Sequence, residues 1–170
     1  MSPTQGIERH TLAVLVANEP GVLARVIGLF SGRGYNIESL TVAEVEREQG
    51  LSRITLVTSG TRMIIDQIKA QLERLVPIHR VRDLTEEGPF VGRELALVKV
   101  VGENGRRAEV LRIAESFGAR IVDSSESSFV FEVTESTEKV DQFLSMLTGL
   151  GRLEVARTGI VALSRGPESI

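Results

Sequence analysis

Two kinds of hydrophobic spacing alternate along the first half of the chain, and this alternation constrains the fold more than any other feature. Four short segments are apolar at every second position or without interruption, whereas two longer segments are apolar at spacings of three and four. The first spacing is typical of strands and the second of helices. The resulting order, strand, helix, strand, strand, helix, strand, predicts a four-stranded antiparallel sheet with two helices on one face.

The first helix is the most sharply marked of these elements. It is predicted at residues 21–33, because Pro20 suits a first helical turn and Asn18 or Glu19 stands where a side-chain cap belongs. Gly34 supplies the unrestricted backbone that ends it. Five apolar residues are predicted to share its buried face: Val22, Leu23, Val26, Ile27 and Phe30.

The other elements of the first half follow from the same two patterns. Strands are predicted at residues 10–17, 37–45, 51–58 and 78–84, and the charged residues between the second and third strands make a hairpin turn. A second helix, ended by Pro77, is predicted from apolar residues that share one face: Ile64, Ile65, Ile68, Leu72, Leu75 and Val76.

The same order of elements recurs after a polar segment that is rich in glycine, proline and glutamate. This segment, residues 86–93, is predicted to be a linker between a first domain at residues 8–85 and a second at residues 94–166. The second domain is predicted to contain a strand, a helix, a hairpin, a helix and a closing strand, at residues 95–101, 108–117, 120–125 with 128–133, 140–147 and 153–163. The predicted fold class is therefore α+β, with two tandem ferredoxin-like βαββαβ units whose helices lie on one face of each antiparallel sheet.

Composition and charge exclude several classes of protein. The chain has 170 residues, of which 42% are apolar and 25% charged, and this balance is typical of a soluble globular protein. Its net charge of -3 offers no attraction to nucleic acid or to an anionic membrane. The absence of cysteine removes disulfides and thiolate chemistry, and no apolar run is long enough to span a membrane. We expect a cytoplasmic protein.

Few residues offer catalytic chemistry. His10 and His79 are the only histidines, and each begins a predicted strand without a carboxylate or a second histidine at ligand spacing. Both are predicted to be surface or strand-edge residues. We therefore expect no catalytic residue and no metal site in this chain.

The start of the first helix offers an anion site made of backbone. The N–H groups of Gly21, Val22 and Leu23 lie in the first turn, where the helix supplies no acceptor, so they form a site for a carboxylate or a phosphate. Gly21 adds no side chain that would block approach. On this evidence alone, the simpler interpretation is a well-capped helix between two strands.

Two segments of the chain carry a specific resemblance. Residues 18–42 begin with Asn-Glu-Pro-Gly-Val-Leu and end with Gly-Tyr-Asn-Ile-Glu-Ser-Leu-Thr-Val, and they resemble the small regulatory subunits of acetolactate synthase, which are ACT-domain proteins. Residues 154–166, Glu-Val-Ala-Arg-Thr-Gly-Ile-Val-Ala-Leu-Ser-Arg-Gly, are similar to the C-terminal signature of the same family. The resemblance therefore spans both predicted domains.

This resemblance implies a chain without an active site of its own. Its partner would be the large catalytic subunit, which holds thiamine diphosphate, magnesium and FAD and acts in valine, leucine and isoleucine synthesis. The small subunit would bind none of these cofactors. It would activate the large subunit and confer feedback inhibition by valine.

The resemblance also implies where valine binds. ACT domains of this family form homodimers in which two sheets join side by side, and the effector lies at the joint. One copy would hold the charged end of the amino acid and the other would close the site; the first set is Asn18, Gly21, Val22 and Leu23, and the second is Asn36 and Ile37. First-turn N–H groups suit the carboxylate of an amino acid, and neutral oxygens suit its ammonium group. Without the resemblance, Asn36 is equally well explained as a turn-stabilising residue.

Three other functions fit the same order of elements. RNA-recognition modules stack bases on aromatic residues of their central strands, and the predicted central strands here contain none. Small acyl-phosphate hydrolases need an arginine and an asparagine around a phosphate loop, whereas Glu19 places a carboxylate beside the anion site. An ACT sensor that serves a different amino-acid enzyme is a nearer alternative, against which only the resemblance of the C-terminal half argues.

Overall fold

The structure, a computed structural model, describes residues 6–102 and 104–170. These residues form nine strands and five α-helices, which group into two units. The first unit runs to Gly92 and also includes Gly159–Ile170, while the second comprises Arg93–Thr158. No helix within the described residues is long and apolar enough to cross a membrane.

The first unit has the predicted order of elements. In chain order they are β1 (Glu8–Ala17), α1 (Val22–Arg33), β2 (Ser39–Glu46), β3 (Leu51–Gly60), α2 (Arg62–Arg74), β4 (Ile78–Asp83) and a single helical turn, α3 (Leu84–Glu87). The strands form one antiparallel sheet in the order β2-β3-β1-β4. The central strand is β1, where Val14 lies opposite Ile54 of β3 and Val81 of β4.

The core of the first unit lies between this sheet and helices α1 and α2. The buried residues alternate along the strands and recur at helical spacing, as the sequence predicts: Leu12, Val14, Val16, Val22, Val26, Phe30, Ile54, Leu56, Ile65, Ile68 and Leu72. Ile27 was predicted to lie on the buried face of α1, and this prediction is wrong, because Ile27 is 38% exposed. The stripe that faces the sheet is narrow, with Leu23 only half-buried at its margin.

The second unit repeats this arrangement. Its elements are β5 (Phe90–Val101), of which residues 90–92 belong to the first unit, α4 (Arg107–Ser116), β6 (Arg120–Ser124), β7 (Ser128–Glu135), α5 (Thr137–Leu147) and β8 (Arg152–Arg157). The strand order β6-β7-β5-β8 corresponds to that of the first sheet, and α5 begins with a side-chain cap, since the Ser136 side chain accepts a hydrogen bond from the Lys139 N–H. Its core includes the aromatic side chains Phe129, Phe131 and Phe143. The predicted α+β fold with two ferredoxin-like units is therefore confirmed.

The segment predicted as a linker is more ordered than its composition suggests. Asp83 accepts hydrogen bonds from the N–H groups of Thr85 and Glu86 at 3.1 and 3.2 Å, and this cap closes the turn α3. Leu84 is buried beneath the turn, and β5 begins at Phe90.

The predicted closing strand, residues 153–163, is divided in the structure. The strand β8 ends at Arg157, and a separate strand, β9 (Val161–Ser164), belongs to the first unit. It pairs with β5, and just beyond it the Arg165 N–H donates to the Pro89 carbonyl at 3.0 Å. The two domains predicted at residues 8–85 and 94–166 stay predictions. In the structure, residues 159–170 make their contacts with the first unit.

Candidate functional site

The loop between β1 and α1 presents open backbone at the start of the helix. Gly21 is the residue that precedes α1, with φ of 87° in the left-handed region that glycine adopts without strain. A Cβ added there would meet nothing within 4 Å, and the residue is exposed. The backbone at Gly21 is therefore open to solvent.

The predicted side-chain cap is wrong. No side chain caps α1, because the N-cap position is occupied by Gly21, which has no side chain. The amide Nδ2 of Asn18 donates to Glu44 Oε1 at 3.3 Å. The main-chain N–H of Asn18 donates to the Gly50 carbonyl at 2.7 Å, and that of Glu19 donates to the Ala17 carbonyl at 2.9 Å. These bonds hold the loop against the turn between β2 and β3, so the loop is shaped by its backbone contacts.

The donors of the predicted anion site are fewer than expected. The Val22 N–H donates to the Glu19 carbonyl at 3.4 Å, a long bond, and the Val22 side chain is buried. Within the described chain, no oxygen accepts from the N–H groups of Gly21 or Leu23. Two of the three predicted donors are thus unpaired, and the third is weakly engaged.

The second predicted half of the site follows α1. Gly34 ends the helix with φ of 69°, and its N–H group donates to carbonyls of the last turn, which confirms its predicted role as a cap. Asn36 has an exposed side chain, while its main-chain carbonyl accepts a 2.7 Å hydrogen bond from Thr58 Oγ1. Ile37 is half-buried and packs against the first core. The backbone of this half is anchored to β3, and the Asn36 amide is presented to solvent.

A charged group lies next to this half. Glu38 forms an ion pair with Arg9, Oε2 to Nε, at 2.8 Å, and its other carboxylate oxygen accepts a hydrogen bond from Ser59 Oγ. The hydrogen bond from Ser59, together with the bond and charge of Arg9, outweighs the effect of burial and lowers the pKa of Glu38 below its ordinary value of 4.5. The carboxylate therefore stays ionised beside Ile37.

The two halves lie at opposite ends of α1 in any one copy of the chain. The helix has 12 residues, which corresponds to a length of about 18 Å at about 1.5 Å per residue. This separation is greater than the length of a free amino acid. One chain therefore does not bring the two predicted sets together.

A buried polar cluster was not predicted from the sequence. His10 is 7% exposed, and its Nδ1 lies 2.7 Å from Oδ2 of Asp83, which is 73 residues away in the chain. Lys69 Nζ lies 3.6 Å from the same oxygen, and the hydrogen bonds of Lys69 to Glu86 and Asp66 outweigh burial and raise its pKa. The surface position predicted for His10 is wrong, whereas His79 is exposed as predicted.

A cavity of about 260 Å³ opens beside this cluster, lined by Glu8, Arg9, His10, Arg62, Ile65, Asp66, Thr85 and Glu86. Its charged side chains are paired with one another or with neighbours; Arg62, for example, lies 3.3 Å from Glu86. Among residues 6–102 and 104–170, no group of three or more histidines or carboxylates is arranged to hold a metal ion. The hydrogen bonds and ion pairs of the cluster therefore connect β1, α2 and α3.

Comparison with known proteins places both units in one family. The family described as AHAS small subunit-like ACT domain matches residues 12–80, and the family described as small subunit of acetolactate synthase matches residues 93–166. A probable acetolactate synthase small subunit from Archaeoglobus fulgidus is 47% identical over 158 residues, which are 93% of this chain and 98% of that protein. The acetolactate synthase isozyme 3 small subunit of Escherichia coli is 45% identical over 93% of this chain and 96% of its own length.

A solved structure supports the same assignment. The crystal structure of the acetolactate synthase small subunit from Thermotoga maritima has a TM-score of 0.84 and 37% sequence identity, and the match covers 95% of this chain and 99% of that one. Sequence and structure therefore agree along nearly the whole chain. This chain belongs to the family of acetolactate synthase small subunits.

Proposed function

We propose that this chain is the regulatory subunit of an acetolactate synthase, which activates a large catalytic subunit and confers feedback inhibition by valine. The observation that carries the proposal is the similarity to small subunits over 93% of the chain and 98% of the relative. In this proposal the chain has no catalytic role, and thiamine diphosphate, magnesium and FAD belong to the large subunit. Residues 8–85 bind the effector and form the homodimer, and residues 94–166 form the second domain of the subunit.

The separation of the two half-sites supports a homodimer. Ala17 lies opposite Leu51, and Leu51 lies opposite Glu46, so the loop after β1 is at the end of the sheet where β2 finishes. If the outer strand β2 pairs antiparallel with β2 of a second copy, the finish of one strand lies beside the start of the other. The start of β2 follows Asn36 and Ile37. This arrangement brings the half-site of one copy toward the complementary half-site of the other.

The outer strand β2 suits such a pairing. It forms one edge of the first sheet and exposes Val42 and Val45, at 46% and 49%. Apolar side chains that are exposed on an edge strand favour pairing with another strand. The same edge therefore offers a dimer contact and completes the effector site.

The chemistry of the half-sites suits a small amino acid. The unpaired N–H groups of Gly21 and Leu23 are donors that a carboxylate at the helix start could engage, and the positive end of the helix dipole adds attraction. Nδ2 of Asn18 donates to Glu44, and no hydrogen bond to Oδ1 of Asn18 is formed within the described residues, so Oδ1 can accept from an ammonium group. Leu23 and Ile37 are half-buried and supply apolar surface for a short branched side chain. Val22 is buried in the core and contributes backbone only.

Calorimetry and reconstitution test this proposal together. The purified chain is titrated with valine, leucine, isoleucine and lysine, and the large subunit of the same organism is assayed alone and with the chain. We expect valine to bind, lysine not to bind, and the chain to raise the activity of the large subunit in a valine-sensitive way. Activation without any amino-acid binding would overturn the effector assignment, and absence of activation would overturn the regulatory assignment.

A further inference from the structure

The C-terminal segment, residues 159–170, covers the face of the first sheet that the helices leave open. Ile160 and Ala162 are buried against Ala13 and Val57, which point away from α1 and α2, and Leu84 completes the cluster. Phe90 and Ile170 pack at its margin. Residues 159–170 therefore form a second apolar layer on the first sheet, on the face opposite α1 and α2.

Hydrogen bonds attach this segment to strands β2 and β3. The Ile160 N–H donates to Ser39 Oγ at 2.9 Å, and the Ile160 carbonyl accepts from Thr41 Oγ1 at 2.5 Å. Arg53 Nη2 donates to the Ala162 carbonyl at 2.7 Å. Because the side chains of the strands bond to main-chain atoms of the segment, the position of the segment follows the position of Ser39 and Thr41.

Gly159 lies in direct backbone contact with β2. A Cβ added there would lie 2.6 Å from the Leu40 carbonyl oxygen and 2.8 Å from the Leu40 carbonyl carbon. Both atoms belong to the main chain of a paired strand, so no rotamer change relieves the overlap. Only glycine lets the segment approach β2 this closely.

The residue immediately before the segment is fixed in the second unit. The Thr158 N–H donates to the Leu95 carbonyl at 2.9 Å, and Thr158 Oγ1 accepts from the Leu95 N–H at 3.0 Å. Leu95 is part of β5 in the second sheet. One peptide bond therefore separates a residue that is held by the second sheet from a residue that touches β2 of the first.

The contacts on β2 lie directly after the second half-site. Asn36 and Ile37 are followed by Glu38, whose N–H donates to the Val57 carbonyl at 2.8 Å, and then by Ser39. A ligand that draws Asn36 and Ile37 toward a second copy therefore acts on a short, hydrogen-bonded path to Ser39. That path leads through Ile160 and Gly159 to Thr158.

We infer that the junction Thr158–Ile160 is the connection through which effector binding at Asn36 and Ile37 changes the state of the second unit. The inference rests on the proposed function and adds the route of regulation to it. An effector regulates only if it biases a second element as well as filling its own site. The second element here is β5. Gly159 contacts β2 next to the half-site, and the preceding residue, Thr158, is hydrogen-bonded to Leu95 of β5.

Gly159→Ala tests this inference in the full-length chain, reconstituted with its large subunit. The new Cβ should lift residues 159–165 from β2, which hydrogen exchange of the amides in that segment measures. We expect valine affinity within about twofold of the parent and normal activation. Inhibition at saturating valine should fall by about fivefold or more, the lower end of typical allosteric coupling.

Two further variants keep the test decisive. Gly28→Ala makes the same change on α1, where a Cβ meets nothing within 4 Å, and should behave as the parent. If Gly159→Ala does not fold, the double variant Ser39→Ala with Thr41→Val removes the two side-chain bonds to Ile160 without adding volume, and it should show the same loss of inhibition.

The outcomes separate this inference from the proposed function. If the amides of residues 159–165 exchange faster in a variant but valine still inhibits the enzyme, the inference alone is overturned. It is also overturned if amide exchange in this segment stays slow in both variants. Loss of valine binding in the variants also overturns it, because the segment would then be part of the site. If the parent itself neither binds valine nor is inhibited, the proposed function falls and the inference falls with it.

Discussion

Replacing Gly21 by aspartate tests whether the start of α1 holds the carboxylate of the effector. Gly21 is exposed, a Cβ there has open space, and its neighbour Leu23 has an unpaired N–H group. The substitution places a fixed carboxylate where the proposed ligand carboxylate binds. It leaves the buried face of the helix unchanged.

The cost to stability is small and follows from the backbone angle. With φ of 87°, residue 21 is in the left-handed region, where a residue with a Cβ costs roughly 1–2 kcal/mol. A negative charge at a helix start stabilises the folded state by about 0.3–1 kcal/mol. The net loss is about 0–1.7 kcal/mol, which is well below the roughly 5–15 kcal/mol that stabilises a typical domain. The variant should therefore fold and still activate the large subunit.

The effect on binding is larger. Two carboxylates directed at the same N–H groups would lie about 5 Å apart, and their repulsion is about 0.8–3.3 kcal/mol for an effective dielectric constant between about 80 and 20. This free energy corresponds to a loss of affinity of roughly 4- to 250-fold. The side chain also occupies part of the site, so the observed loss should lie at the upper end of that range.

Asparagine at the same position is the matched control. It has nearly the same shape and the same tolerance of the left-handed region but carries no charge. Calorimetry with valine should show weaker binding for Gly21→Asp than for Gly21→Asn, and added salt should reduce the difference. If both folded variants bind valine as tightly as the parent, the helix start is not the effector site.

Three further predictions follow from the described contacts. Asn36→Ala should weaken valine binding by about 1.5–3 kcal/mol without lowering the unfolding temperature, because the bond to Thr58 uses the main-chain carbonyl of Asn36; a collapse of stability with intact binding would instead indicate a role in the turn. Asp83→Ala should destabilise the first unit by about 3–5 kcal/mol in denaturant unfolding, because His10, Lys69 and the N–H groups of α3 lose their shared acceptor; a loss under about 1 kcal/mol would contradict a structural role for the cluster. Glu38 has a lowered pKa, so its stabilising effect is present above its ordinary value of 4.5 and is lost as pH falls through the folded value; the difference in unfolding temperature between the parent and Glu38→Gln should shrink in acid, and a constant difference would refute this.

The order of elements was predictable because it depends on local spacing. Apolar residues at Val22, Val26 and Phe30 recur at the helical period, and those of β1 and β3 form short apolar runs, so each segment indicates its own secondary structure. The start of α1 was predicted to within one residue from Pro20 and Gly21, but Gly21, which was predicted in the first helical turn, precedes the helix with φ of 87°. The six proposed site residues come from this local pattern and from the family resemblance, and their role stays a prediction.

Contacts between distant residues were decided only by the tertiary structure. Glu8, two residues away in sequence, lies 3.3 Å from Nε2 of His10, but nothing in the sequence indicates Asp83 as the partner of Nδ1. The pairing of β1 with β4 brings Asp83 to His10, and packing buries both side chains. Residues 159–163 continue an apolar pattern that predicts one strand of the second unit. The chain leaves that sheet after Thr158 because the open face of the first sheet offers Ala13 and Val57 for burial, and because Gly159 can approach β2. Local periodicity determines whether a segment is a helix or a strand, but the surface against which it packs depends on which apolar faces remain uncovered once the whole chain has folded.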